Sequence, residues 1–128
     1  MSDKILDLLI KENEAWDDLL TRQGKEIPDL EKMLADIIRQ KHFQGFEFNI
    51  TVGNLKQAIE DQGSSVKSIK EDLAKQQFFL EKEKKNDENG YGINTLVSQN
   101  LLRQRIRLIE KQFLDLKSNF LNYYINVF

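Results

Sequence analysis

Residues 46–80, FEFNITVGNLKQAIEDQGSSVKSIKEDLAKQQFFL, decide between a helical and a mixed fold. The first seven of them alternate apolar and polar side chains, which is the signal of a strand, but the chain offers no second strand as a partner. Read with helical spacing, one stripe runs through the whole stretch in steps of 4 and 3 residues: Phe48, Val52, Leu55, Ile59, Gln62, Val66, Ile69, Leu73, Gln76 and Leu80. This sustained heptad pattern predicts one helix over about residues 46–84.

Segments on both sides repeat this spacing. The first, over about residues 3–41, carries the stripe Ile5, Leu9, Trp16, Leu20, Ile27, Leu30, Leu34 and Ile37. The third, over about 94–127, carries the stripe Leu102, Ile106, Ile109, Phe113, Leu116, Phe120 and Tyr124. The connecting segments are polar and contain glycine, so they predict turns. Three helices of similar length joined by short loops predict an elongated, all-α, up-down-up antiparallel bundle, with residues 1–128 as a single domain.

Glycine and proline interrupt the stripes without shifting their phase. Pro28 removes a helical hydrogen bond, and Gly63 lowers helix propensity by about 1 kcal/mol relative to alanine. Kinks are therefore predicted near residues 24–28 and 63–65. When the chain is folded at its two turns, the glycines of these kinks fall at one level, close to Phe113. We predict that they make room for that ring or mark a shared bend.

Composition and motifs disfavour several functional classes. A net charge of -2, from 19 basic and 21 acidic residues, gives no overall field to attract nucleic acid. The chain has no cysteine and a single histidine, His42, so the usual metal and nucleophile sites lack their residues. The carboxylates of Asp17-Asp18 and Glu60-Asp61 diverge by about 100° on a helix and do not converge on a metal. We predict no enzymatic activity, no metal, no cofactor and no small-molecule substrate.

The amino terminus lacks the apolar core of a signal peptide, because Lys4, Asp7 and Lys11 interrupt it. No window approaches the ~20 apolar residues of a membrane-spanning helix. The absence of cysteine is compatible with a reducing compartment. We therefore expect a cytoplasmic protein without a membrane partner.

Basic residues concentrate on the third helix, at Arg103, Arg105 and Arg107, with Lys111 and Lys117. A nucleic-acid groove needs such residues on one face with exposed aromatic residues between them, whereas alternate residues spread around a helix. In the up-down-up arrangement Arg103 lies level with Asp17 and Asp18 of the first helix. We interpret the cluster as charge pairing between helices, and nucleic-acid binding through the third helix is the alternative.

Aromatic residues gather at one end of the predicted bundle, where the first turn meets the end of the third helix. We call this cluster the aromatic pole: Phe43, Phe46, Phe48, Phe120, Tyr123, Tyr124 and Phe128. It either closes the end of the core or forms a surface for a partner or a second copy, since exposed aromatic clusters mark interfaces. The candidate partner-binding residues are Phe43, Phe46, Phe120, Tyr123, Tyr124 and Phe128.

Two short motifs carry a resemblance to known proteins. The motif Glu14-Ala15-Trp16 with Leu19-Leu20, together with Phe120-Leu121-Asn122-Tyr123-Tyr124, resembles small uncharacterised helical-bundle proteins of Bacteroidetes-type bacteria. That resemblance implies no function. In general shape the chain is also similar to flagellar export chaperones, which are helical and bind partner helices, and Gln99-Asn100 is the local likeness.

These observations favour a non-catalytic helical interaction module, acting as an adaptor, a scaffold or a chaperone-like protein. Such a module presents an apolar surface to a helix of another protein or of a second copy. Gln62 and Gln76 interrupt the apolar stripe of the second helix, as do residues that fix register in coiled-coil assemblies. Self-association is therefore included in this hypothesis.

Overall fold

The structure is a computed structural model, and it describes residues 3–40, 45–85 and 93–127. Three helices make up these ranges: α1 (Asp3–Gln40), α2 (Phe46–Lys85) and α3 (Ile93–Val127). The predicted bounds differ from these by no more than one residue. No strand occurs in the described part of the chain, so the alternating residues at the start of α2 are helical. The carbonyl of Gly45 accepts the first helical hydrogen bond, from the amide of Asn49, at 3.1 Å.

Side-chain contacts between the helices show their relative directions. α1 and α2 are antiparallel, and so are α2 and α3, because the residue numbers of their contacting pairs rise on one helix as they fall on the other. α1 and α3 are parallel, because the residue numbers of their contacting pairs rise together. The pairs are Asp7–Lys84 and Gln23–Gln62 (α1 and α2), Asp72–Arg105 and Gln76–Gln99 (α2 and α3), and Glu12–Arg103 and Glu26–Lys117 (α1 and α3). The predicted all-α, up-down-up bundle is confirmed.

The core follows the predicted stripes, with one correction on α1. Leu6 is fully buried, whereas Ile5, which the sequence placed in the stripe, is exposed. The stripe prediction also left two gaps of seven residues, and the buried polar residues Asn13 and Gln23 fill them. Polar side chains therefore occupy core positions of α1 as well as of α2.

α1 continues without a break through Pro28, so one helix rather than two is confirmed, while the bend there stays a prediction. Gly24 and Gly63 line one cleft between α1 and α2, as expected if they lie at the same height along the bundle. The idea that they make room for Phe113 is wrong. A Cβ at Gly63 would meet only the side chain of Ile27, at 3.9 Å, and a Cβ at Gly24 would meet nothing within 4 Å.

Gly24 leads to the first stability prediction. Replacing Gly24 with alanine should raise the free energy of unfolding by about 1 kcal/mol, because the added methyl group meets open space and alanine restricts the unfolded chain. Chemical denaturation followed by circular dichroism measures the change. The matched control is Ala15→Gly, at an exposed position of α1, which should lower the free energy by a similar amount. A destabilising Gly24→Ala would contradict the open environment of this glycine.

Candidate interaction surfaces

The structure separates the buried from the exposed rings of the aromatic pole. Phe120 is fully buried in the core, whereas 79% of Phe46 is exposed. Phe43 and Phe128 lie outside the described residues. The described part of the pole is thus in part an end of the core, with Phe46 left at the surface.

The remaining rings of the pole are half-buried. The rings of Phe48 and Tyr123 lie 6.4 Å apart between centroids, and Tyr124 also packs against the core. Burial raises the pKa of Tyr123 above the ordinary value of a phenol. These residues offer a partner only part of their ring area.

A second heptad pattern runs along the surface of α3. We call it the outer stripe, and its members follow steps of 4, 3, 4 and 3: Val97, Leu101, Gln104, Leu108 and Lys111. Val97, Leu101 and Leu108 are each more than half exposed, on the side of α3 that faces away from the core. Sequence reasoning missed this stripe because the stronger core stripe has the same spacing. Apolar residues aligned in this way indicate a contact surface more than scattered ones do.

The basic cluster of α3 pairs with acidic residues of the other helices, as predicted. The pairs are Arg103 with Glu12, Arg105 with Asp72, and Lys117 with Glu26. Arg103 donates two hydrogen bonds to Glu12, at 2.6 and 2.9 Å, and its guanidinium lies 5.9 Å from the Trp16 ring centroid. The partner of Arg103 is therefore Glu12 and not the expected Asp17 or Asp18. The pairing leaves less free positive charge for a nucleic acid.

Opposing effects act on the carboxyl group of Glu12. Burial raises its pKa, but hydrogen bonds from Arg103 and Gln99 and the charges of Arg103 and Arg107 outweigh burial, and the pKa is lowered overall. A carboxylate with a lowered pKa stabilises the folded state above its unfolded-state pKa. This contribution is lost as the pH falls through the folded-state pKa.

The second prediction follows from this pKa. Glu12→Gln should lower the free energy of unfolding by about 1 kcal/mol at pH 7, and the deficit should shrink as the pH falls below about 4.3. Denaturation curves at several pH values measure both effects. Glu26→Gln is the matched control, and it should have the smaller effect because the Glu26 side chain is 46% exposed against 28% for Glu12. A pH-independent deficit in Glu12→Gln would contradict the assignment.

Three amide side chains form a polar layer across the bundle. Gln76 Nε2 donates to Gln99 Oε1 at 3.3 Å, and Gln99 Nε2 donates to Asn13 Oδ1 at 2.7 Å and to Glu12 at 2.9 Å. The layer separates the core cluster of Leu6, Leu9 and Leu80 from the main core. Sequence reasoning identified Gln76 as a stripe residue but missed Asn13 and the burial of Gln99. Their 3- and 4-residue spacing from apolar core positions was the available signal.

The polar layer fixes the orientation of the Asn13 amide. Because Asn13 Oδ1 faces the donor Gln99 Nε2, Asn13 Nδ2 points away from it. Asn13 is only 1% exposed, and its Nδ2 has no hydrogen-bond partner among the described residues. Gln77 Nε2 donates to Glu81, and Gln77 Oε1 is likewise buried without a partner in the described part of the chain. The donor Asn13 Nδ2 and the acceptor Gln77 Oε1 are therefore both buried without a hydrogen-bond partner among the described residues.

Both atoms belong to residues that line one cleft of about 420 Å³ between α1 and α2. We call it the acidic cleft, and its lining residues are Asn13, Glu14, Asp17, Asp18, Leu73, Ala74, Gln77, Phe78 and Glu81. Four of these carry carboxylates, and none of the described lining residues is basic. The ring of Phe78 is 71% exposed at the rim. The cleft thus combines negative charge, an apolar rim and two unpartnered amide atoms.

Within residues 3–40, 45–85 and 93–127, no group of three or more histidine, cysteine, aspartate or glutamate side chains is arranged to hold a metal ion. None of the described helices combines the length and the apolar character that crossing a membrane requires. His42 lies outside the described residues.

Comparisons with protein-family models, with curated proteins and with solved structures find no match to this chain.

Proposed function

We propose that this protein is a non-catalytic helical interaction module that binds another protein chain through its exposed helix faces, as an adaptor, a scaffold or a chaperone-like protein. The observation that carries the proposal is the outer stripe of α3. Its apolar residues follow heptad spacing although the core is already filled from the opposite side of the same helix. A helix with two apolar stripes packs against two sets of neighbours, and the bundle supplies only one of them.

The energetics favour an occupied outer stripe. Full burial of a leucine contributes roughly 1.5–3 kcal/mol, so Leu101 and Leu108 together provide a useful share of a binding free energy. Arg107 lies beside the stripe and Lys111 ends it, and these charged residues give polarity to its rim. The proposal includes a cytoplasmic location, which a chain without cysteine fits.

Nucleic-acid binding is the less favoured function. Arg103 and Arg105, which a nucleic acid would need, already pair with Glu12 and Asp72. The outer stripe between the remaining basic residues presents valine and leucine, and no aromatic ring on which a base could stack.

Photo-crosslinking in the native host tests the proposal. A photoreactive phenylalanine analogue replaces Leu101, and the matched control places the same analogue at Lys32, an exposed position of α1. We expect position 101 to give a discrete protein adduct that position 32 does not give, and mass spectrometry identifies the attached chain. Equal labelling at the two positions would contradict the proposal.

A further inference from the structure

We propose that the outer stripe of α3 docks into the acidic cleft of a second copy of this chain, so that copies associate head to tail. The inference rests on the proposed function and names its partner. Three properties of the two surfaces carry it: their charges, their unpartnered amide atoms and their positions on the bundle.

The charges of the two surfaces are opposite. The acidic cleft has four carboxylates, of which Asp17 has a counterion in Lys70, at 3.9 Å. Residues 93–111 of α3, which contain the outer stripe, include four basic residues and one acidic residue, and two of the basic residues, Arg103 and Arg105, pair with Glu12 and Asp72 within the bundle. Arg107 and Lys111 are exposed there. Complementary charge of this kind raises association rates and selects the orientation of docking.

The outer stripe also carries an amide group that is complementary to the unpartnered amide atoms of the cleft. Both atoms are buried, so side chains at the surface of the cleft must move before a carboxamide can offer an acceptor to Asn13 Nδ2 and a donor to Gln77 Oε1. Gln104 lies between the two exposed leucines of the stripe and carries such a group. The bundle uses the same chemistry internally, where Gln62 Nε2 donates to Gln23 Oε1 at 3.2 Å. The leucines beside Gln104 would pack on the exposed ring of Phe78.

The positions of the two surfaces require separate copies. No described residue of α3 lines the acidic cleft between α1 and α2, and Leu101 and Leu108 of the outer stripe border clefts between α3 and α2 instead. One chain therefore cannot join its own two surfaces. We infer that each copy uses its two surfaces on two different neighbours, so that each docking event leaves one free surface of each kind. Such a heterologous contact produces a ring or an open filament.

A charge swap tests the docking. We expect the mass of the unaltered chain to increase with concentration above the monomer value of 15.1 kDa in sedimentation equilibrium. Glu14→Lys with Asp18→Lys, and separately Arg107→Glu with Lys111→Glu, should each weaken association by about tenfold or more. The chain with all four substitutions should recover most of the lost association, because both surfaces are reversed. All four side chains are exposed, so the fold tolerates the changes. The docking would be overturned if both double variants associate more weakly and the fourfold variant does not recover association.

A pair of amide substitutions tests the contact at Gln104. Gln104→Leu should weaken association by about tenfold, since Asn13 Nδ2 and Gln77 Oε1 then lose their partner at the interface. Gln112→Leu is the matched control on the same helix, and it should leave association unchanged. Equal association of the two variants would overturn the role of Gln104.

Failure of this inference is distinguishable from failure of the proposed function. A chain that stays at 15.1 kDa up to about 1 mM overturns head-to-tail docking. If position 101 then crosslinks to a different protein, the interaction module stands and the partner is another chain. If position 101 crosslinks to nothing beyond its Lys32 control, the proposed function fails as well.

Discussion

Phe120→Ala should lower the free energy of unfolding by about 4 kcal/mol, because it deletes a fully buried ring at the end of the core. The loss combines the transfer of the ring to water with the cavity that remains. Chemical denaturation at neutral pH, followed by circular dichroism, measures it. For a three-helix bundle this is a large part of the total stability, so the variant should unfold at a much lower denaturant concentration.

Phe46→Ala is the matched control for Phe120→Ala. Both residues belong to the aromatic pole, but Phe46 is mostly exposed, so its removal should change the free energy of unfolding by less than about 0.5 kcal/mol. Similar losses for the two variants would mean that the pole buries Phe46 as well. They would contradict the division of the pole into a core end and a surface ring.

Gln99→Leu should lower the free energy of unfolding by about 2 kcal/mol, although leucine is the more hydrophobic residue. Gln99 makes hydrogen bonds with Gln76, Glu12 and Asn13, and leucine would leave Asn13 Oδ1 buried without its donor. The same denaturation experiment measures the loss. Leaving a buried polar atom unsatisfied costs more than the hydrogen bond contributes on balance.

The double variant Asn13→Leu with Gln99→Leu separates this explanation from simple overpacking. Replacing both amides removes the unsatisfied pair, so the double variant should be more stable than the sum of the two single losses implies. Strictly additive losses would show that the two amides do not interact. In coiled coils such a polar layer also fixes helix register, which gives the network a structural role here.

The fold was predictable because apolar spacing alone determines it. The stripe from Phe48 to Leu80 holds its phase over 33 residues, and a strand at its start has no partner. Loop lengths then leave the up-down-up arrangement as the simplest packing. Pro28 did not mislead the prediction, because the stripe continues through it on the same face.

The candidate surfaces were less predictable, for physical reasons that concern particular residues. Asn13 and Gln99 are polar, so a search for apolar spacing passes over them although they occupy core positions. Whether Leu6 or Ile5 is buried depends on how α1 is rotated about its axis relative to α2 and α3. The residues next to Leu6 and Ile5 in the sequence do not determine this rotation. Pairing of Arg103 with Glu12 depends on the axial offset of α1 and α3. The acidic cleft depends instead on how α1 packs against α2, because residues of these two helices line it.

The parallel placement of α1 and α3 is central to the account, because the pairing of Glu12 with Arg103 and the hydrogen bond from Gln99 to Asn13 both depend on it. Pulsed electron spin resonance tests it directly, because the chain lacks cysteine and accepts labels only at introduced positions. One variant carries spin labels at the positions of Lys11 and Asn100, and another carries them at the positions of Lys11 and Ser118. Each labelled variant is diluted with unlabelled chain. We predict that the 11–118 distance exceeds the 11–100 distance by about 15 Å, since residue 100 lies level with residue 11 on a parallel α3 and residue 118 lies roughly 27 Å farther along that helix. A shorter 11–118 distance would contradict the account.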